Sequence, residues 1–179
     1  MSRYVKWAQK EHGRGTYIAA MLLAGVVFLI LLPWIIIRIG PALDRLLGLP
    51  SFAIGATNYF IGGLLVVVGL FFGLWSNYVQ MTRGRGTPLP VLPTQELLTQ
   101  GPYRYCRNPM TFGTILAYLG LGVMAGTVSG IILVLVFGAC LVLYLKRMEE
   151  SELAERFGEA YLQYKREVPF IIPRRPKKR

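Results

Sequence analysis

Two short stretches of this chain carry side chains that could do chemistry. One is GPYRYCRNPMTFG, from Gly101 to Gly113, and the other is the carboxylate pair Glu149 and Glu150. The first sets Arg104, Arg107 and Asn108 between Pro102 and Pro109, with long apolar runs on both sides. A carboxylate on a packed face is costly unless a cation or several donors meet it. Glu149 and Glu150 therefore either pair with Arg104, Arg107 or Arg147, or one of them holds a ligand's ammonium group. The second arrangement suits a zwitterionic, amino-acid-like ligand.

The elements that must position these groups follow from periodicity. Beyond Leu145 the chain reads KRMEESELAERFGEAYLQYKREVPFIIP, and Leu153, Phe157, Ala160, Tyr161 and Tyr164 recur at helical spacing. That pattern predicts an amphipathic helix leaving the membrane. At about 100° per residue from Glu149, the apolar residues fall between about 20° and 120°, with Glu150 near 100°. Glu152, Glu155 and Glu159 fall on the opposite side, as a solvated face paired with Arg156 or Lys165. Only Glu149 and Glu150 share the packed sector.

The 179 residues are 54% hydrophobic, and the apolar residues are gathered in blocks, as in a membrane protein. The first block, TYIAAMLLAGVVFLILLPWIIIRIG from Thr16, is too long for a signal-peptide core, and Pro33 is expected to bend it. A second block runs from about Phe52 to Tyr78, where Gly62, Gly63, Gly69 and Gly73 could admit another backbone. Two further blocks, extended to Pro109 and Met148, make two tight spans, with a re-entrant hairpin as the alternative. The expected fold is all-α: a polytopic membrane helix bundle of about four transmembrane helices plus a C-terminal cytoplasmic amphipathic helix. Residues 1–80 would hold the N-terminal arm and first two spans, and 81–179 the functional half.

Lys and Arg outnumber Asp and Glu by 20 to 9. The N-terminal arm, the middle loop and the segment after Leu145 hold most of them, which places these three segments and both termini in the cytoplasm. No nucleic-acid module accompanies the charge, so anchoring and attraction to anionic membrane lipids account for it. The tail RRPKKR reads as a disordered, lipid-facing end. Cys106 and Cys140 have neither disulfide nor metal spacing, and His12 has no cluster to join.

In order and spacing, GPYRYCRNPMTFG, two apolar runs, EE and FGEAYLQYKREVP together resemble the integral-membrane methyltransferases. That family includes isoprenylcysteine carboxyl methyltransferases and phosphatidylethanolamine N-methyltransferases. The resemblance covers roughly Arg83 to Pro173. Against the family pattern G-x-Y-x-x-x-R-H-P-x-Y the chain has Gly101, Tyr103, Arg107, Asn108, Pro109 and Thr111, so asparagine replaces the histidine and threonine the final tyrosine. Asn-Pro-Met here resembles phospholipid methyltransferases and bacterial relatives.

The resemblance implies S-adenosylmethionine held by Gln95, Glu96, Leu97, Leu98, Tyr103, Asn108, Pro109, Met110, Thr111 and Glu149. Glu149 would take the ammonium, Tyr103 and Leu98 would wall the adenine, and Asn108 would meet the ribose or carboxylate. Arg107 would orient the acidic pair or meet an anionic acceptor, and Glu150 would remove a proton from an amine acceptor. The acceptor would be lipidic or prenylated, in a membrane that is expected to be a prokaryotic inner one. Two other readings stay open: a non-catalytic module on the same scaffold, and a membrane reductase using a nicotinamide cofactor. Neither the acceptor atom nor the oligomeric state follows from the residues.

Overall fold

A computed structural model describes residues 14–84 and 96–176, and among these every regular element is helical. Helical segments Arg14–Gly25, Val26–Leu31, Leu32–Trp34, Ile35–Ile39 and Gly40–Leu47 follow one another without interruption and form α1. Ala56–Val79 is α2, continued by a wide π turn at Gln80–Gly84; Pro109–Met124 is α3 and Val128–Tyr144 is α4. A second wide turn, Leu145–Glu149, leads into α5 at Glu150–Glu167.

Among the described residues three helices are long and apolar enough to cross a membrane: Val26–Leu47, Ala56–Gly84 and Val128–Glu167, the last through its apolar part α4. The fourth apolar helix, α3, has 16 residues, about 24 Å at 1.5 Å per residue, against a hydrocarbon core of about 30 Å. The chain is an integral membrane protein. By contacts it divides into two compact units, Met1–Ala24 with Leu74–Met110 and Leu143–Arg179, and Gly25–Gly73 with Thr111–Val142.

Within the second unit, α1 differs from its expected form. The helix continues through Gly40 and Pro41, which stands near the start of the segment Gly40–Leu47, and stops only at Gly48 with φ 65°. Arg38 and Arg45 therefore lie in the helix rather than in a loop. Pro33 sits between two π stretches. In the first of them Leu32 N–H donates to Val27 O, so the matching partner of Phe28 O would be Pro33, which has no N–H. Tyr118 Oη donates to that carbonyl at 2.7 Å, supplying the missing hydrogen bond from another helix. Tyr118→Phe is expected to lower stability by about 1 kcal/mol, read from thermal unfolding in mild detergent.

Glycines let α2 and α3 touch backbone to backbone. A Cβ on Gly69 would lie 2.5 Å from Gly113 O, and one on Gly120 would lie 2.5 Å from Gly62 O. Of the four glycines singled out in the second block, Gly62 and Gly69 make this approach, whereas Gly63 and Gly73 have open space where a Cβ would stand. Backbone cannot retreat from a new side chain, so Gly69→Val should cost about 3 kcal/mol while Gly63→Ala changes little. Parallel thermal melts of the two variants check this.

Asp44 ties the end of α1 to the start of α4. Its Oδ1 accepts from Ser129 N–H at 2.7 Å, and its Oδ2 accepts from Val128 N–H at 3.1 Å and Thr127 Oγ1 at 2.6 Å. The carboxylate thus caps a helix N-terminus from a distant part of the chain.

Candidate functional site

The site lies wholly in the first unit. Its scaffold is a buried cluster of Val79, Tyr103, Tyr161 and Tyr164, with Trp75, Leu97, Leu98, Leu153 and Phe157 packed around it. Gly101, at φ 60°, lets the chain turn into the 3-10 segment Gly101–Arg104, and a Cβ there would stand 3.1 Å from Val79. That turn drops Tyr103 into the cluster, where its carbonyl accepts from Tyr164 Oη at 2.7 Å. Pro109, buried, then opens α3 at a position where proline is favoured.

A second tie was not legible in the sequence. The segment after α5 runs back along the turn as a strap: Arg107 N–H donates to Pro169 O at 2.9 Å, Asn108 N–H to Phe170 O at 3.1 Å, and Arg174 N–H to Tyr105 O at 2.9 Å. Asn108 Nδ2 adds another bond to Phe170 O at 3.1 Å. The expectation of a disordered tail from Arg174 onward therefore fails at its first residue, because that residue's backbone is paired; residues 177–179 lie outside the described residues.

Arg107 is the centre of the clamp. It forms an ion pair with Glu150, donates to Tyr161 Oη at 3.1 Å and to Val168 O at 3.1 Å, and stacks over the Phe170 ring at 5.4 Å. Lys165 takes the other Glu150 oxygen at 2.7 Å. Both Glu150 oxygens are thus held by cations. Glu149 differs: it has no hydrogen bond or ion pair with any described residue. Burial, reinforced by Glu152 and Glu150, pushes its carboxyl up to about 7.

These groups surround a small, open-mouthed cleft, about 490 Å3 when the open space at its mouth is counted. Leu97, Leu98, Tyr103, Arg107, Asn108, Glu149 and Glu150 all line it. Glu96 is exposed, and neither it nor Pro109, Met110 or Thr111 contributes to the lining; Thr111 belongs to the other unit. Gln95 lies outside the described residues. Gln80, Leu145, Leu153, Tyr161 and Tyr164 also line the cleft. Leu153, Tyr161 and Tyr164 were visible as the apolar stripe of α5, whereas Gln80 went unnoticed at the end of an apolar run.

Glu152 corrects the helical projection. It pairs with Arg156 as expected, but the two side chains are only 10% and 4% exposed, so this is a buried pair rather than a solvated face. The non-helical Gly158, at φ 54° and ψ −132°, breaks the constant 100° step only beyond Glu152, so the projected positions of Tyr161 and Tyr164 relative to it do not hold. Glu155 and Glu159 are exposed as expected. Cys106 is fully buried and its thiol is pushed up to about 11 by burial, so it stays protonated. Tyr164→Phe, which removes the bond to Tyr103 O, should cost about 1 kcal/mol in a thermal melt.

Fold and site together define a helical integral membrane protein with a tyrosine-walled cleft that presents a carboxylate unpaired among the described residues. Residues 57–160 match the family described as phospholipid methyltransferase, and the chain belongs to that family. It is 30% identical over 123 residues to a methanethiol S-methyltransferase of Crocosphaera subtropica, covering 63% of this chain and 44% of that protein. It is also 30% identical over 103 residues to methanethiol S-methyltransferase 2 of Bradyrhizobium diazoefficiens, covering 58% and 36%. Against the protein-S-isoprenylcysteine O-methyltransferase of Mus musculus it is 34% identical over 83 residues, covering 45% and 28%. The chain thus spans less than half the length of these curated relatives.

Proposed function

We infer that this protein is an S-adenosylmethionine-dependent methyltransferase acting on an apolar, lipidic or prenylated nucleophile. The observation that carries the reading is Glu149, a carboxylate in the cleft that no described residue neutralises. A carboxylate left unpaired in such a place is costly, and a ligand's ammonium would relieve the cost. Gln80 Oε1, buried and without a hydrogen-bond partner among the described residues, is a second acceptor in the same cleft. Glu149 fits the ammonium at the amino-acid end of the cofactor, and Tyr103, Leu97 and Leu98 fit an aromatic ring.

When bound, the cofactor supplies a methyl group on a positively charged sulfur. The chain's own residues would align the reactants and keep water away, which is where most of the acceleration of a displacement arises. Arg107 and Glu150 hold the turn against α5. Because both Glu150 oxygens meet cations, it is a positioning residue here rather than a free base. That favours an acceptor that arrives ionised, such as a carboxylate, over one that must first lose a proton. Among the relatives' names, the isoprenylcysteine O-methyltransferase agrees with this preference, whereas methanethiol is a thiol that would have to lose a proton.

The methyltransferase portion would then be 81–179, the positive-inside bias supports both termini in the cytoplasm, and the membrane is expected to be a prokaryotic inner one. The functional test is incubation of the purified protein with labelled methyl donor and prenylcysteine, alkyl thiol or total membrane lipid. Label in an apolar product supports the reading. Cofactor binding with no labelled product from any acceptor would point instead to a non-catalytic module, and binding of a nicotinamide cofactor in its place to a reductase.

A further inference from the structure

Gln80 has appeared so far only as a second acceptor of the cleft, with no part of the ligand assigned to it. It opens the wide turn Gln80–Gly84 at the end of α2, and it lines the cleft. Its Oε1 is buried with no hydrogen-bond partner among the described residues, and the same holds for Oδ1 of Asn77, three residues earlier on the same face. A buried acceptor without a donor costs about 1–3 kcal/mol, so two within one turn mark a place where a donor is expected from outside the described residues. Glu149, the other unpartnered group of the cleft, ends the second wide turn, Leu145–Glu149. Both cleft acceptors thus stand in π turns, which concentrate at functional sites because the extra residue re-aims a side chain.

The two acceptors are chemically unequal. Glu149 can carry a charge and matches a cation. Gln80 is a neutral amide with one acceptor oxygen beside two N–H donors. Its next neighbour Val79 is packed in the cluster with Tyr103, Leu97 and Leu98, a flat apolar wall. An amide at the edge of such a wall is complementary to a 6-aminopurine, whose exocyclic N–H donor stands beside a ring nitrogen acceptor.

We propose that Gln80 reads the purine edge of the cofactor, its Oε1 accepting from the exocyclic amine, and so makes the cleft selective for adenine. This rests on the reading of the cleft as the cofactor site. Glu149 and Gln80 then divide the ligand between them, one holding the amino-acid end and the other the base.

The experiment is calorimetric titration of the full-length protein in lipid nanodiscs with S-adenosylhomocysteine, its 6-deamino purine analogue, and 5′-methylthioadenosine, which lacks the amino-acid end. Wild type should bind S-adenosylhomocysteine about tenfold more tightly than the 6-deamino analogue. Gln80→Leu should lose about that factor for both adenine ligands and bind the 6-deamino analogue as wild type does, while its ligand-free melting temperature is held or raised because a buried orphan acceptor is gone. Glu149→Gln should weaken S-adenosylhomocysteine and leave methylthioadenosine unchanged. Gln80→Met is the second variant should the leucine fold poorly. An adenine preference retained in these variants, or unchanged affinity throughout, overturns the proposal and leaves Gln80 as a residue satisfied by water. No binding of any of the three ligands by wild type overturns the cofactor reading itself, a separate outcome.

Discussion

Glu149→Gln is expected to weaken S-adenosylhomocysteine binding about 100-fold at pH 7.5, with little loss of folding. The substitution keeps the shape of the side chain and removes its charge, so the loss reads the charge-assisted hydrogen bond to the ammonium, worth about 3 kcal/mol in a site that excludes water. The pH dependence provides a second signature. Wild-type affinity should rise roughly 20-fold between about pH 5.5 and 7.5, as a carboxyl with a pKa of about 7 ionises. It should fall again above about pH 8, where the ligand's own amine loses its proton. Glu149→Gln should lack the rise.

The same shift has a sign for stability. The folded value, about 7, lies above the reference of 4.5, so the unfolded chain releases this proton first as pH rises. The stabilising contribution is complete below about pH 4.5 and is lost by about pH 7, a change of roughly 3 kcal/mol in the ligand-free protein. Thermal melts across this window should show wild type losing stability relative to Glu149→Gln. Melting curves that stay parallel would mean that Glu149 is solvated.

The second large effect is expected at Arg107. Arg107→Ala removes in one step the ion pair to Glu150, the bonds to Tyr161 Oη and Val168 O, and the contact with Phe170. The two charged side chains are 10% and 12% exposed, so Glu150 would be left enclosed with only Lys165 as partner. Breaking an enclosed pair on one side costs about 3–5 kcal/mol; the remaining lysine argues for the lower figure. Arg107→Lys should recover only part of the loss, because an ammonium cannot reproduce the planar fork that serves a carboxylate, a phenol and a carbonyl together. In the double variant with Glu150→Ala the losses should be far from additive, since the two residues share one interaction. Additive losses would place them in separate networks.

These two residues also show how far the sequence could be read. That the arginine-bearing turn and the acidic pair converge followed from span parity and charge. Which glutamate was free did not: spacing puts both on the packed sector, and only the positions of Lys165 and the strap hand Glu150 to cations and leave Glu149 alone. The strap itself is made of backbone hydrogen bonds from residues 105–108 and 174 to carbonyls or amides far along the chain, and side-chain types do not encode these. Gln80 and Glu152 were missed for a related reason. Both lie in helices whose regular step is broken, by the wide turn at Gln80–Gly84 and by Gly158, which a fixed helical period cannot represent. The glycines of α2 illustrate the same limit, because composition permits close approach at all four positions and geometry uses two.

The most direct measurement is proton release on cofactor binding, obtained by titrating the full-length protein with S-adenosylhomocysteine at pH 6.5 in buffers of different ionisation enthalpy. If Glu149 meets the ammonium, its carboxyl must ionise on binding, and more than half a proton should leave per ligand bound, falling to near zero in Glu149→Gln. Saturable binding with no proton release in wild type, or no binding heat at all, would contradict the assignment of this cleft.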